Sequence, residues 1–499
     1  MPEDCKIGLG NRGICVIIPT YNNAGTVADV VARAQAYCED VFVVLDGCTD
    51  DTLSRLEALP VKPRCIVIEQ NKGKGNALKE GFRQAREAGF AYAITLDADG
   101  QHFPEDLPLF LEASRKRPGA LIVGNRLGLK DAERSKGSRF ANAFSNFWFF
   151  LQTFIPLQDT QTGYRLYPLK RIPKLFSARY EAELALLVFS AWRGIPLVSQ
   201  GVRVYYPPQE ERVSHFRPIA DFARITLLNV FLCILALIYG WPRTLLRWVF
   251  RVLKSLFVFL FYVVVMAFLV TPGVRIFLKF APNTNQKKEK LHRFICRFAG
   301  MGTRFFGWVG NPFTREGNLE EDFSRPAVIT CNHQSHLDLL PVLALTPRLV
   351  ILTADWVWNN PLYSFIIHEA DFLPASRGVE AISSQLSELV KNGYSIVIFP
   401  ESTRSLDGSI GRFHQGAFYL ADHLGLDILP VVLYGTGKAL PKHGRILRRW
   451  PIRLEMDGRI SQEELKQKGE DYKSQASWLR KYYKSRYAEI ADKVEQTIV

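Results

Sequence analysis

The stretch YAITLDADGQH, residues 92–102, sets an apolar strand-like run directly against two carboxylates, Asp97 and Asp99, with only Ala98 between them. Acids one residue apart, at the point where a strand ends and the chain turns, converge on one divalent cation, and Mg2+ or Mn2+ held this way neutralises a diphosphate. A solvated Asp-x-Asp turn has the same spacing, so the neighbours decide. From residue 14 to about residue 126, short apolar runs (ICVIIP, VFVVLD, CIVIEQ, YAITLD, ALIVGN) alternate with helical stretches such as 28–37 and 76–88. That alternation predicts βαβ units and a parallel sheet. In open sheets of this kind ligands collect beyond the carboxyl ends of the strands, where Asp46, Asn71, Asp97 and Asp99 fall.

The chain has 499 residues, more than one hydrophobic core serves, so two domains with an extra segment are expected. A hydrophobic content of 47%, with no internal repeat and no low-complexity tract, excludes a disordered or fibrous chain. Sixty-three Lys and Arg against 49 Asp and Glu give a net charge of +14, which suits an anionic partner. No nucleic-acid motif accompanies that charge, so anionic lipid headgroups and phosphorylated substrates are the expected partners. The eight cysteines show no CxxC or Cys/His ligand spacing, which points to a reduced, cytoplasm-facing protein. The opening MPEDCKIGLGNRG lacks the apolar core of a signal peptide, so the chain is expected to begin in the cytoplasm.

Two apolar segments, ITLLNVFLCILALIYGW and SLFVFLFYVVVMAFLV, follow between residues 225 and 271, joined by PRTLLRWVFRVLK. Each is about 17 residues long, at the lower limit for crossing a bilayer core. In the connector Arg243, Arg247, Arg251 and Lys254 recur at helical spacing opposite Leu, Trp and Val, as in a helix lying in the membrane interface. A two-span hairpin would put these cations outside while Arg217, Arg224, Arg275 and Lys279 flank the other ends, against the positive-inside tendency. A re-entrant or in-plane membrane element is therefore expected, the alternative being a pair of buried core helices. Beyond a polar stretch at 283–290 a second α/β pattern begins, with strands at 327–330, 349–353, 395–399 and 427–433 and a helix at 380–391. The tail from Gln462 reads as a charged surface helix.

Around the Asp97/Asp99 pair stand VIIPTYNNAGTV, VVLDGCTDDT and NKGKGNAL upstream, and PEDLP, GNR and DTQTGYRLY downstream. In this order the first two hundred or so residues resemble the inverting family 2 glycosyltransferases, especially the dolichyl-phosphate mannose synthase branch. The resemblance implies a GT-A fold and a nucleotide-sugar donor, with Pro19, Tyr21 and Asp46 around base and ribose, Lys74 near the phosphates, and Asp97 and Asp99 at metal and diphosphate. One departure stands out: where the family has Asp-Asp-Gly-Ser, this chain has Leu45-Asp46-Gly47-Cys48. One carboxylate of the nucleotide pocket is missing, which leaves the base open. A lipid-phosphate acceptor is already anionic and needs no general base, whereas a hydroxyl acceptor needs a carboxylate to take its proton. Asp159 and Glu183 are the candidates, and Arg126 and Arg165 are candidate contacts for phosphate oxygens.

A second constellation, ITCNHQSHLDLLP at residues 329–341, places His333 five residues ahead of Asp338. At that spacing an imidazole at a strand end is met by a carboxylate on the following turn, which fixes its tautomer and raises its basicity. Such a dyad suits the deprotonation of a hydroxyl. His336 competes for the role, and the two histidines also have the spacing of metal ligands, though no third ligand is evident. With FLPASRG, IFPESTRS and ILPVVLYGTG downstream, about residues 300 to 450 resemble the glycerolipid acyltransferases, the 1-acylglycerol-3-phosphate acyltransferase family. The resemblance implies His333 as general base, Asp338 as its orienting acid, Arg377 and Arg404 as anion contacts, Glu401 as an acceptor-site residue, and an acyl-CoA or acyl-carrier-protein thioester as donor. The family's FPEGTRS appears here with Ser402 in place of glycine.

The expected architecture is α/β: a GT-A domain at 1–224, a helical membrane element at 225–282 and an α/β acyltransferase domain at 283–499. The expected function is bifunctional, with sugar transfer to a lipid or lipid-phosphate acceptor and acyl transfer to a hydroxyl of a lipid or glycolipid, at the cytoplasmic face of the inner membrane. Its rivals are a polyprenyl-phosphate sugar synthase whose acyltransferase serves a separate substrate, and an inactive lipid-binding scaffold.

Overall fold

The computed structural model describes residues 2–126, 136–174, 179, 181–205, 218–280, 284–362 and 364–498; Arg217 lies outside them. Its contacts fall into two compact units, Met1–Trp248 with Glu495–Val499, and Val249–Val494.

The first unit is built on a seven-stranded sheet. Its strands are β1 (Ile14–Thr20), β2 (Val41–Asp46), β3 (Arg64–Ile68), β4 (Tyr92–Thr95), β5 (Leu121–Asn125), β6 (Arg165–Pro168) and β7 (Leu197–Gly201), in the order β3-β2-β1-β4-β6-β5-β7. β1 pairs in parallel with β2 and β4, as the apolar runs predict. β6 departs from the purely parallel expectation: it inserts between β4 and β5, antiparallel to both. It is only four residues long and lies inside the QTGYRLYP stretch, so its apolar signal is hidden in a motif.

The second unit has its own seven-stranded sheet, of β8 (Phe313–Gly317), β9 (Val328–Cys331), β10 (Leu349–Thr353), β11 (Leu373–Pro374), β12 (Ser395–Ile398), β13 (Ile428–Tyr434) and β14 (Ile452–Met456). Their order is β11-β10-β12-β9-β13-β14-β8, with β9 central and parallel to both β12 and β13. The C-terminal helix Tyr472–Ile498 is not confined to the surface: Leu479, Tyr483 and Ile490 are fully buried. The Tyr483 hydroxyl donates to the Thr330 carbonyl at 2.6 Å and accepts from the Val431 amide at 3.1 Å, which ties this helix to β9 and β13.

The two apolar segments and their connector form one uninterrupted helical run from Pro218 to Phe280, without the chain reversal that a re-entrant element requires. The connector offers no Gly or Asn at which to turn. Its proline and the one at residue 272 are accommodated differently: π-helical turns at Ala236–Gly240 and Val265–Val270 contain Ile238 and Phe268, the residues four before Pro242 and Pro272. A proline ring clashes with the carbonyl four residues back, and widening that turn removes the clash without ending the helix. Along this helix Val258, Met266, Val270, Val274 and Leu278 are buried in the core of the second unit. Within the first unit, Leu232 and Ala236 pack with Trp192 and Phe149, and Gln152 donates to the Asn229 side chain at 3.0 Å. Leu227, Ile238, Phe250, Phe259, Phe268 and Phe280 remain exposed.

Gly240 lies against the Trp192 indole, where an added Cβ would overlap the ring. Trp192 is fixed by its own hydrogen bond to the Gln152 carbonyl at 2.9 Å. Gly240→Ala is therefore expected to destabilise the first unit by about 1–3 kcal/mol, read as a lowered thermal midpoint in detergent. An unchanged midpoint would mean the indole moves aside freely.

Candidate active sites

At the carboxyl edge of the first sheet, Asp46 ends β2 with both oxygens occupied, accepting from the amides of Lys72 at 2.9 Å and Gly73 at 2.7 Å. It thereby fixes the NKGKG loop that begins the helix Lys74–Glu87. Gly47, next in the chain, has φ +70°, and a Cβ there would strike the Asn71 backbone, so this position requires glycine. Pro19 lies in β1 and Tyr21 just beyond it, on the strand that runs beside β2 and β4.

Asp97 and Asp99 follow β4. Asp97 Oδ1 lies 2.7 Å from Lys74 Nζ, which also meets Glu183 Oε2 at 3.0 Å. Burial disfavours ionised Asp97, but the Lys74 ammonium outweighs it and holds the carboxyl below its usual range. Among the described residues Asp99 accepts the Gln101 amide at 3.0 Å, and burial, followed by the charge of Asp97, pushes its carboxyl up to about 6. Two adjoining carboxylates with too little positive charge between them are a donor set that a divalent cation fits. Among the described residues no group of three or more His, Cys, Asp or Glu side chains stands together as a metal cage, so further ligands would come from diphosphate oxygens or water.

The remaining candidates separate. Asp159 is buried and grips Arg126, which donates from Nε at 2.6 Å and from Nη2 at 2.9 Å. Arg165 is fully buried, donating to the carbonyls of Glu183 at 2.9 Å and Thr160 at 2.8 Å; in this geometry it braces the loop and does not open onto the site. Glu183 is buried at the first turn of the helix Glu181–Arg193, and its Oε1 has no hydrogen-bond partner among the described residues. Gly163 escaped the residue-by-residue reading although it lies within QTGYR: its carbonyl accepts from Thr95 at 2.6 Å, and a Cβ on it would overlap Asp97 and approach Lys74 Nζ to 2.7 Å.

In the second unit His333 Nδ1 meets Asp338 Oδ2 at 2.9 Å. The same oxygen accepts from the amides of Gln334 at 2.7 Å and Ser335 at 2.8 Å, at the start of the short 3-10 turn His336–Asp338. Asp338 is fully buried, and three partners on one oxygen fix its position. The His336 ring instead faces Trp356, 5.0 Å between centroids, so the dyad register is His333–Asp338. Phe399 lies 4.4 Å from the His333 ring, centroid to centroid. Glu401 accepts from the His333 amide at 2.9 Å and the Gly411 amide at 2.7 Å, and burial pushes its carboxyl up. With both oxygens so engaged, it braces the loop that carries His333. Arg404 donates to the Lys442 carbonyl at 3.2 Å, and Arg377 is exposed over the Trp358 ring at 5.7 Å. Ser402 adopts φ +56°, the left-handed region in which glycine costs nothing. For an L-residue that conformation costs about 1–2 kcal/mol, offset in part by the roughly 0.5–1 kcal/mol entropic cost of glycine, so the replacement is tolerated.

Residues 15–168 match the family model for glycosyl transferase family 2, and residues 313–434 match the acyltransferase model. The chain carries a family 2 glycosyltransferase domain and an acyltransferase domain. Both belong to enzyme families. The acyltransferase domain is 35% identical over 159 residues to the chloroplastic 1-acyl-sn-glycerol-3-phosphate acyltransferase LPAT1 of Arabidopsis thaliana, covering 31% of this chain and 44% of that protein. The glycosyltransferase domain is 28% identical over 195 residues to the UDP-N-acetylglucosamine–dolichyl-phosphate N-acetylglucosaminyltransferase of Methanococcus voltae, covering 35% of this chain and 76% of that one. Similar solved structures include the acyltransferase PlsC of Thermotoga maritima (20% identity, TM-score 0.41, 50% of this chain and 98% of that one). The glucosyl-3-phosphoglycerate synthase of Mycobacterium tuberculosis is another (19%, TM-score 0.37, 47% and 82%). The chain thus spans under half the length of the first curated relatives it matches.

Because Gly163 leaves no room between the glycosyltransferase carboxylate and its lysine, Gly163→Ala is expected to cut sugar transfer by up to about 10²-fold, the scale of a misplacement of about 1 Å. Acyl transfer by the same preparation should stay near wild type. Equal loss of both activities would point to general unfolding instead.

Proposed function

We propose that this chain glycosylates a lipid or lipid-phosphate acceptor and O-acylates the same product or a related lipid. The observation that carries this reading is one chain holding both a carboxylate-anchored imidazole at the end of β9 and an acid pair at the end of β4. Residues 1–224 and 283–499 are the two catalytic domains, and 225–282 is the membrane element. At about 1.5 Å per residue the apolar helix Ala223–Phe280, 58 residues long, is far longer than a bilayer core of about 30 Å is thick. Only 11% of its most apolar window is buried, so an in-plane position with its apolar face in lipid accounts for both facts. The reduced cysteines and the +14 charge suit the cytoplasmic face of the inner membrane, where anionic headgroups collect.

In the sugar step Pro19, Tyr21 and Asp46 bind the nucleoside, Lys74 and Arg126 contact phosphate oxygens, and Asp97 and Asp99 would hold Mg2+ or Mn2+. That cation would neutralise the diphosphate as it leaves the anomeric carbon. For a hydroxyl acceptor Glu183 takes the proton, since both oxygens of Asp159 are engaged by Arg126. For a phosphate acceptor, the class named in the archaeal relative, no base is needed. In the acyl step Asp338 keeps the proton on His333 Nδ1, and Nε2 takes the acceptor hydroxyl proton as its oxygen attacks the thioester carbonyl of acyl-CoA or acyl-carrier protein. The C–O bond forms, the C–S bond breaks, and His333 returns the proton to the departing thiolate. Arg377 and Arg404 supply positive charge for an anionic acceptor.

Detergent-purified protein given a nucleotide-sugar panel, acyl donors and native lipid extract should yield a lipid with both sugar and acyl chain by mass spectrometry; two separate products would favour separate substrates. Asp99→Ala should abolish sugar transfer and spare acyl transfer, while His333→Ala should do the reverse, with an acylation loss of about 10²- to 10⁴-fold. Asp338→Asn should also be severe and His336→Ala mild. A mild His333→Ala beside a dead His336→Ala would refute the assignment.

Acid should act on the sugar step through its metal pair. With a carboxyl near 6, Asp99 gains a proton as pH falls below that value, and a protonated acid is a poor metal ligand. Sugar transfer should decline below about pH 6 and recover with added Mn2+. A decline that extra Mn2+ leaves untouched would place the titrating group elsewhere.

A further inference from the structure

Lys74, a phosphate contact in the sugar step, is paired here with two carboxylates instead. It is the first residue of its helix, behind a loop pinned by Asp46, and its side chain is only 15% exposed. Its ammonium bridges carboxylates from two different elements, Asp97 after β4 and Glu183 at the start of Glu181–Arg193. Gly163 closes the space beside it so tightly that not even a methyl group fits. The ammonium therefore occupies the side of Asp97 to which a cation would be drawn. Two cations sharing one carboxylate a few ångströms apart repel strongly at the low effective dielectric of such a site.

We infer that Lys74 is a built-in counter-ion that reserves the metal site, giving up Asp97 only when the diphosphate of the donor arrives to take the ammonium. This rests on the reading of Asp97 and Asp99 as the metal pair. Divalent cation and nucleotide then bind cooperatively, each weak alone. A metal ion settles only weakly on the carboxylates in advance of the donor, and Glu183 is released from its lysine in the same event, becoming available to the acceptor only when a donor is in place. Lys74 acts here as a positioning residue whose effect appears in binding before any turnover.

The test is Mn2+ binding to the full-length protein in detergent, followed by the loss of the free Mn2+ signal in electron paramagnetic resonance. Lys74→Met combined with Glu183→Gln removes one charge of each sign, so the net charge of the pocket is unchanged. Without nucleotide this double variant should bind Mn2+ more tightly than wild type, by about 5-fold or more, the lower end of typical coupling between sites. Wild type should reach comparable affinity only with UDP present, after correction for Mn2+ held by UDP in solution. Where the double variant is unstable, Lys74→Gln serves, with the same expected direction. Equal nucleotide-free affinity in wild type and variant overturns the inference while leaving the metal pair intact. No Mn2+ binding by any form, even with UDP, or full binding by Asp99→Asn, overturns the metal pair itself and the inference with it.

Discussion

A carboxylate buried at the end of a strand has to be compensated, and both candidate sites follow from how this is done. Water would solvate such a group well; the protein interior does not, and a lone ionised acid there either finds donors or takes up a proton. Asp46, Asp159, Glu183, Asp338 and Glu401 are all buried. Asp46, Asp338 and Glu401 are compensated mainly by backbone amides, Asp159 by the Arg126 guanidinium, and Asp97 and Glu183 by a shared lysine. Asp99 has one backbone amide among the described residues and a negative neighbour. Each solution dictates its surroundings: amides need a tight turn or a helix start, and a lysine needs a glycine beside it to make room.

The fold was legible where strands are continuous apolar runs bounded by turn residues. β1, β2, β4, β5, β9, β10, β12 and β13 are of this kind, because strands covered on both faces carry mostly apolar residues; β3, at the sheet edge, is largely exposed but still reads as an apolar run. It was not legible at β6, four residues inside a motif, or at β8 and β14, where FTREG and IRLEM mix charges into strands at one side of the second sheet. The C-terminal helix misled for a related reason. Its charge marks it as surface, yet Tyr483 reaches the centre of the sheet and Tyr487 donates to the Gln334 side chain at 2.8 Å, beside the His333 loop. A tyrosine is apolar along its ring and polar at its tip, so composition does not say which end the fold uses. At the sites, motif order brought Asp97, Asp99, His333 and Asp338 into view; that Arg165 and Glu401 serve the scaffold depends on which donors the folded backbone leaves free, which no spacing encodes.

The long helix carries a similar lesson about prolines. Pro242 and Pro272 are residues of a kind that ordinarily ends a helix. The structure spends one wide turn at each instead, and the helix continues. A π turn holds an extra residue, which also rotates the side chains that follow. That rotation matters for a helix whose buried positions recur every four residues from Met266 to Leu278, since a regular α-helix of 3.6 residues per turn would carry such a stripe steadily around its axis. The prolines thus belong to the register of the buried face.

The two sites differ in what holds their acids, and this difference sets what each can do. Backbone amides are fixed by the fold, so the Asp338 and Glu401 carboxylates meet the same donors whether or not a ligand is bound, and His333 keeps one orientation. A base that must accept and return a proton at every turnover is served by such rigidity. Lysine and arginine side chains are long and can exchange one anion for another without moving the backbone. Asp97, Asp159 and Glu183 of the first site are therefore held by partners that a phosphate can attract away. A site that must bind a highly charged donor and then release an equally charged product needs counter-ions of that mobile kind, because fixed donors that matched the bound state would leave unpaired charge behind in the empty one.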